Sequence, residues 1–378
     1  MRADHALSFS RVDDLAAILR GDAPWHTLAR DASGFASICS AHEVTGLVQA
    51  AISRGAIGGD WPADVRDALA CASRTSAAGE LLRRREIGTA LDALAAADAD
   101  PILFKGTALA YSVYPEPMAR PRVDTDLIVG RDRLDAARRA LTACGYTAAV
   151  QCGGELVLRQ EAWSKTDNLG IEHTLDLHWS VSTQPIFRDL VTYEELAADA
   201  VAIERLGRHA RGPGAVHALL LACVHPAMHH RHAEWLIWVS DVHLLASRLS
   251  EAEFYRFTSL AIGRRVAAIA SQELNRAHRR FGTRIPERVM RSLGAAETEP
   301  SADYLRDGRR WHDDLVSSVR ALRWRDRVRL MREVLVPDAR YMRARYRMRR
   351  GWPGAVALPA AYLHRGVRGA LNVLTGRK

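Results

Sequence analysis

Two aspartates separated by a single residue, Asp124 and Asp126, precede an apolar run that is typical of a β-strand. Because side chains alternate across a strand, residues two apart lie on the same face and close to each other. Two carboxylates at that spacing repel, so the pair either has a raised pKa or binds a cation. Mg²⁺ prefers oxygen ligands of this kind and usually keeps waters and substrate phosphates as well. The spacing alone also fits two surface acids beside a loop.

A third acid, Asp176, lies in a second alternating segment at 171–181. Asp176 and His178 share one face of this predicted strand, and leucines occupy the other. If the two strands are neighbours, three carboxylates meet at one site, which suits a pair of metal ions in phosphoryl transfer. The alternative is an acid on an edge strand. His178 would either support one of the acids or simply pack in the core.

The tripeptide Lys105-Gly106-Thr107 follows a short apolar run at 101–104 and opens a predicted helix. A glycine at such a turn lets backbone N–H groups approach an anion, and a helix N-terminus favours negative charge. Lys105 stands out because the chain has three lysines and 50 arginines. The phosphate-binding pattern G-x-x-x-x-G-K-[ST] does not occur in the sequence, and an ordinary Gly-Thr turn is the alternative.

These segments belong to a short α/β stretch inside a helical chain. Apolar residues recur at three- and four-residue spacing over 7–98 and again after about 189, which predicts helices. Strands are predicted at 101–104, 123–130, 155–160 and 171–181. We therefore expect a mostly helical α+β fold, in which a small mixed sheet is flanked by N-terminal and C-terminal helical regions.

The charge of the chain is distributed unevenly. The net charge is +9, but residues 301–378 contain 19 Lys and Arg against 7 Asp and Glu, and residues 1–300 contain 34 against 37. A basic tail of this kind meets an anionic membrane surface, an acidic partner or nucleic acid, or packs as a helix with solvated arginines. An apolar fraction of 48% argues against global disorder. The sequence shows neither an export signal nor a run of 18 apolar residues, so we expect a cytoplasmic protein.

The motifs occur in an order that resembles a bacterial group described as uncharacterised nucleotidyltransferases, within the superfamily typified by DNA polymerase beta. Further similarity lies in the helical part, at 219–230 and 235–245. The motifs that carry the resemblance are FKGTAL (104–109), YPEP (114–117), RVDTDLIV (122–129), GY (145–146) and LDLHW (175–179).

The resemblance implies roles for the acids and the turn. Asp124 and Asp126 would be metal ligands, and Asp176 would be a third ligand or the base that takes a proton from the acceptor. Gly106 and Thr107 would hold the triphosphate, with Thr107 in place of the more common serine.

Two further residues are assigned to phosphate by our own inference. Lys105 belongs to the motif of the narrower group, and Arg122 shares the strand face of Asp124 because it lies two residues before it. Three residues would line the cleft between the two domains: His178, Asp241 and His225, which is one of a group of histidines at 225–243.

The function implied is Mg²⁺-dependent transfer of an NMP from an NTP, with two metal ions, to a small molecule, glycan or modified peptide. ATP is a candidate co-substrate. The alternatives are a non-catalytic member that binds a nucleotide or partner, and a transferase that modifies RNA or protein; a nucleic-acid partner is disfavoured but stays open. By the same resemblance the chain divides into a helical region (1–98), the nucleotidyltransferase core (99–188), a helical domain (189–335) and a basic tail (336–378).

Overall fold

The fold is seen in a computed structural model that describes residues 3–375, apart from 155, 157, 230–234, 296–298, 306–312, 314–315, 318, 321 and 349–351. Over this part of the chain the protein is mostly helical, with a small mixed sheet near the middle. The predicted fold class is confirmed.

Four helices precede the sheet. The fourth spans 34 residues rich in Ala, Leu and Arg, which are good helix formers, and it ends shortly before Pro101. These helices are α1 (Ala3–Arg20), α2 (Ala32–Ala41), α3 (Thr45–Ser53) and α4 (Ala63–Ala96).

Within the described residues the main sheet has five strands in the order β1-β2-β5-β4-β3. The central pair, β2 and β5, is parallel, and the other neighbours are antiparallel. Helix α5 (Lys105–Ser112) follows β1 directly, and α6 (Leu134–Ala143) follows β2. The strands are β1 (Ile102–Phe104), β2 (Thr125–Ile128), β3 (Thr147–Ala148), β4 (Gln160–Thr166) and β5 (Glu172–His178).

The strand predicted at 155–160 is wrong in its position, since β4 begins only at Gln160. A tight turn between β4 and β5 explains the shift. The Asp167 carboxylate accepts hydrogen bonds from the backbone N–H groups of Leu169 and Ile171, and Gly170 has a φ of +79°. Because this turn sets the hairpin register, it places 160–166 opposite β5.

Helices return after the sheet. Helix α7 and helix α10 each begin with a capping box, at Thr192 and Ser250. A two-stranded ribbon, β6 (Val201–Ala202) and β7 (Arg211–Gly212), lies between α7 and α8. The helices are α7 (Tyr193–Ala198), α8 (Ala215–His229), α9 (Leu236–Ala246), α10 (Glu251–Gly263), α11 (Ala267–Phe281), α12 (Glu287–Gly294), α13 (Trp324–Leu335), α14 (Ala339–Arg345) and α15 (Trp352–Thr375).

The two faces of the sheet are buried against different helices. Leu103, Leu127 and Leu177 pack with α4 and α6, while Phe104 and Ile128 belong to a cluster that includes α1–α3 and α8–α12. Because side chains alternate along β2, Asp126 shares the face of Ile128 and so points toward the helices that follow the sheet. The division of the chain at 98, 188 and 335 remains a proposal.

None of the helices in the described part of the chain combines the length and apolar character that a membrane span needs.

Candidate active site

Two acids are aligned on neighbouring strands at the centre of the sheet. β2 and β5 pair in parallel with Asp126 directly opposite Asp176. The same register sets Thr125 opposite Leu175 and Leu127 opposite Leu177, so both acids point to one face of the sheet and these neighbours point to the other. The two strands are therefore neighbours, as predicted, and their pairing brings two carboxylates to one face of the sheet.

Asp124 lies just before β2 and two residues before Asp126. Burial raises the pKa of Asp124, and the negative charge of Asp126 raises it further. The three carboxylates of Asp124, Asp126 and Asp176 thus form a single electrostatic group.

Asp126 has two close partners on the same oxygen. Its Oδ1 lies 2.7 Å from Lys105 Nζ and 2.9 Å from His178 Nε2. Burial alone would raise the pKa of Asp126, but the Lys105 ammonium and the His178 contact hold it well below its usual range. Asp126 therefore stays ionised at neutral pH, and its carboxylate already contacts one cation, the Lys105 ammonium. His178 is fully buried, and its ring packs edge-to-face on Phe104.

Asp176 has the opposite electrostatic character. Burial, together with the charges of Asp126 and Asp124, raises the pKa of Asp176 to about 7. The Gln160 side-chain amide donates a hydrogen bond of 2.7 Å to Asp176 Oδ2. Without a bound metal, Asp176 therefore gains and loses its proton near neutral pH, since the local negative charge exceeds what Lys105 balances.

A metal ion fits this donor set. Asp126 and Asp176 each offer a carboxylate oxygen, and these atoms lie within 4.8 Å of one another and of a ring nitrogen of His178. Carboxylate oxygens suit Mg²⁺, and the raised pKa of Asp176 marks negative charge that a divalent cation would neutralise.

The predicted phosphate-binding residues are in different environments. Lys105 is the first residue of α5, and Gly106 lines a cleft beside it. Thr107 is buried, and its hydroxyl accepts a 2.8 Å hydrogen bond from Arg122 Nε. The Arg122 side chain is 3% exposed and pairs with Glu80 at 2.6 Å. Both side chains already have partners inside the protein, since Arg122 bonds to Thr107 and to Glu80. Phosphate binding by Thr107 and Arg122 thus stays a prediction.

A small cleft with a cavity volume of about 40 Å³ lies beside Lys105 and Gly106. Its walls are mostly apolar and come from α5, the β6–β7 ribbon, α8 and α9. His225 and Asp241 both line it, as does Trp238, whose ring packs edge-to-face on His225. Of the histidines grouped with His225 in the sequence, His230 and His232 lie outside the described residues.

Asp241 in the wall of this cleft is held by a buried ion pair. Arg120 Nε donates hydrogen bonds of 2.8 and 3.0 Å to the two carboxylate oxygens of Asp241. The Tyr114 hydroxyl donates a third, at 2.6 Å. Burial lowers the pKa of Arg120, but the Asp241 charge outweighs it and raises the pKa above its usual range.

Sequence reasoning missed three residues of this region: Glu80, Arg120 and Gln160. Glu80 is a glutamate in a long helix, 42 positions before Arg122, and no local pattern connects the two. Arg120 lies in a proline-rich loop, and no local pattern connects it to Asp241, 121 positions later. Gln160 could have been found only from the register of β4 against β5.

Comparison with known proteins identifies a family that this chain matches. A family model described as "Uncharacterised nucleotidyltransferase" matches residues 29–282, which is more than half of the chain. Among solved structures, the chain is similar to JHP933 from Helicobacter pylori, with 11% sequence identity and a TM-score of 0.27; the match covers 60% of this chain and 97% of that chain. A search of curated proteins found no match to this sequence.

Proposed function

The chain belongs to the uncharacterised nucleotidyltransferase family, and from this premise we propose that it transfers an NMP from an NTP to an acceptor with Mg²⁺ as cofactor. One observation carries the proposal: the register that aligns Asp126 with Asp176 on parallel strands, with Asp124 just before. Family membership implies an NTP as substrate. The identity of the acceptor is the finer part of the proposal.

For the acceptor we propose a small molecule, a glycan or a modified peptide. The cleft beside Lys105 is narrow and mostly apolar, and residues 1–300 carry a slight excess of acids over bases. A polyanionic acceptor such as RNA would need a basic track near the site, because phosphate neutralisation supplies most of its affinity. These two properties favour an acceptor of modest size and charge.

In this proposal Asp124 and Asp126 would hold the metal ions, with Asp176 as a third ligand or as the base. Mg²⁺ bound there would neutralise charge on the phosphate oxygens of the NTP. By fixing where Mg²⁺ is held, the carboxylates would also set the place of the triphosphate, and positioning accounts for much of the rate in phosphoryl transfer. His178 is a positioning residue, because its contact with Asp126 keeps that carboxylate at a set orientation.

The alternative role for Asp176, in place of a metal ligand, is that of the proton acceptor. A carboxyl that binds no metal and has a pKa of about 7 can accept a proton from the acceptor hydroxyl near neutral pH. The Gln160 amide, bonded to Oδ2, leaves Oδ1 for that proton. Lys105 and Gly106, at the first turn of α5, would bind the phosphates, since helix N-terminal amides favour anions.

Pyrophosphate release tests the proposal. The purified protein is incubated with Mg²⁺, each common NTP and candidate acceptors, and the Asp124→Ala, Asp126→Ala double variant is measured in parallel. We expect the double variant to lose activity by on the order of 10³-fold, because the charge of the phosphates is no longer balanced. Asp132→Asn, at an exposed aspartate after β2, is the matched control and should keep full activity. Equal turnover by the wild type and the double variant would contradict the proposal.

A second candidate is a non-catalytic member that binds the nucleotide alone. The observation that favours it is the Lys105 ammonium on Asp126, where an internal cation occupies one carboxylate oxygen. Calorimetry separates the two functions. Mg²⁺-dependent NTP binding without pyrophosphate release for any acceptor would favour the binding protein.

A further inference from the structure

An apolar stripe on helix α13 faces away from the rest of the protein. Trp324, Val328, Met331 and Leu335 are 69%, 63%, 46% and 50% exposed. At 3.6 residues per turn these four positions fall within about 60° of the helix circumference. Leu330, on the opposite side, is buried in a cluster with Leu322 and Leu156. The helix is thus anchored by one side and presents a second apolar side outward.

Arginines lie on both sides of the stripe. At helical spacing Arg327 borders one edge, and Arg325 and Arg332 border the other. The Arg325 guanidinium lies 5.5 Å from the centre of the Trp324 ring. An exposed apolar stripe flanked by basic residues is the arrangement found in helices that lie in the surface of a bilayer.

Helix α15 also exposes apolar side chains. Leu363 and Val367, one turn apart, are 71% and 53% exposed, whereas Ala361 is buried. The inner side of α15 is attached to the chain before α14, since the Tyr362 hydroxyl donates to the Pro337 carbonyl oxygen at 2.5 Å. α15 also contacts α13. Two neighbouring helices therefore expose leucine, valine, methionine and tryptophan on the same part of the protein.

The charge of this part of the chain is strongly positive. Ten Lys and Arg follow Asp338, and no Asp or Glu does. We propose that α13 and α15 form a docking surface for an anionic lipid bilayer, with the apolar side chains in the interface and the arginines against the headgroups. An RNA would bind the arginines but leave the aliphatic stripe in water, so the stripe favours lipid.

Vesicle flotation of the full-length protein tests this proposal. We expect binding to phosphatidylcholine vesicles that contain phosphatidylglycerol, weak binding to phosphatidylcholine alone, and a fall in binding with rising salt. The Val328→Ser, Met331→Ser, Leu335→Ser triple variant should bind at least about tenfold more weakly, because its apolar contact with the bilayer is lost. Since all three side chains are exposed, the melting temperature should change little.

Leu169→Ser is the matched control, because Leu169 is 64% exposed in the turn between β4 and β5, and it should bind vesicles like the wild type. Equal flotation of the triple variant and the wild type, or equal binding to neutral vesicles, would overturn the proposal. So would salt-dependent RNA binding without vesicle binding. A dimer that the triple variant loses, again without vesicle binding, would assign the stripe to a second copy of the chain.

Discussion

At the scale of single residues, the site separates three neighbouring carboxyls by their surroundings. Asp126 is paired with Lys105 and His178, so it stays charged. Asp176 has Gln160, a neutral donor, and faces two acids, so its pKa rises to about 7. Chemically identical groups thus differ in their pKa, and so in how far they are protonated near neutral pH, which is the usual basis for dividing roles among acids in one site.

The raised pKa of Asp176 predicts a pH-dependent stability. The folded protein binds this proton more tightly than the unfolded chain, so the free energy of unfolding falls as pH rises from about 4 to about 7. In the presence of a chelator, Asp176→Asn should therefore raise the free energy of unfolding at pH 8 by about 1–3 kcal/mol, allowing for solvent screening, and change it little at pH 4. Denaturant unfolding at both pH values measures this.

Mg²⁺ provides the internal control for that variant. At pH 8 added Mg²⁺ should raise the melting temperature of the wild type more than that of Asp176→Asn, because the variant has lost a carboxylate ligand. A variant that is less stable than the wild type at pH 8, or equally affected at both pH values, would refute the electrostatic account of Asp176.

At the scale of elements, one buried network connects α4, α5 and the segment before β2. Glu80 on α4 pairs with Arg122 at 2.6 Å and accepts a hydrogen bond from the Tyr111 hydroxyl on α5. Arg122 in turn donates to Thr107. Burial would raise the pKa of Glu80, but Arg122 and Tyr111 lower it, so the carboxylate stays charged. The network holds the first turn of α5 against the strand that carries Asp126.

Loss of the Glu80 charge should loosen this connection. Glu80→Gln leaves the buried Arg122 without a counter-charge, and we expect the free energy of unfolding to fall by about 2–4 kcal/mol. Asp67→Asn removes the same charge at an exposed position of α4 and should cost less than about 0.5 kcal/mol. Thermal and denaturant unfolding measure the stability of both variants. Equal losses would show that Glu80 contributes to stability only through its charge on the helix, and not through its pair with Arg122.

At the scale of the whole molecule, a buried ion pair joins the loop before β2 to the helical part. Arg120 binds both carboxylate oxygens of Asp241 on α9, and Tyr114, in the loop after α5, donates to the same carboxylate. The hydrophobic cluster around them contains residues of α1–α3 and of α8–α12. The sheet that carries the acids is thus fixed to helices from both halves of the chain, which sets the shape of the cleft.

A double-mutant cycle measures this connection. Asp241→Asn and Arg120→Met should each lower the free energy of unfolding by about 3–5 kcal/mol, because each leaves a buried partner uncompensated. The double variant should lose clearly less than the sum, since neither Arg120 nor Asp241 is left as a charge without the other. Additive losses would mean that the pair contributes no coupling between the loop and α9.

Part of the fold, together with the family, can be predicted from local sequence patterns. Apolar residues two apart predicted the strands around Asp126 and Asp176, and apolar residues three and four apart predicted the helices. The motif order indicated the family that the family model then matched. These features are readable because alternation and helical periodicity act over a few residues, whatever the rest of the chain does.

Only the tertiary structure decided which partner each charged side chain has. Arg122 pairs with Glu80, Arg120 with Asp241 and Lys105 with Asp126, over separations of 42, 121 and 21 residues. Among 50 arginines no local pattern selects these pairs. Burial selects them, because a charge inside the protein is stable only beside a partner that the packing of distant elements brings within hydrogen-bond distance.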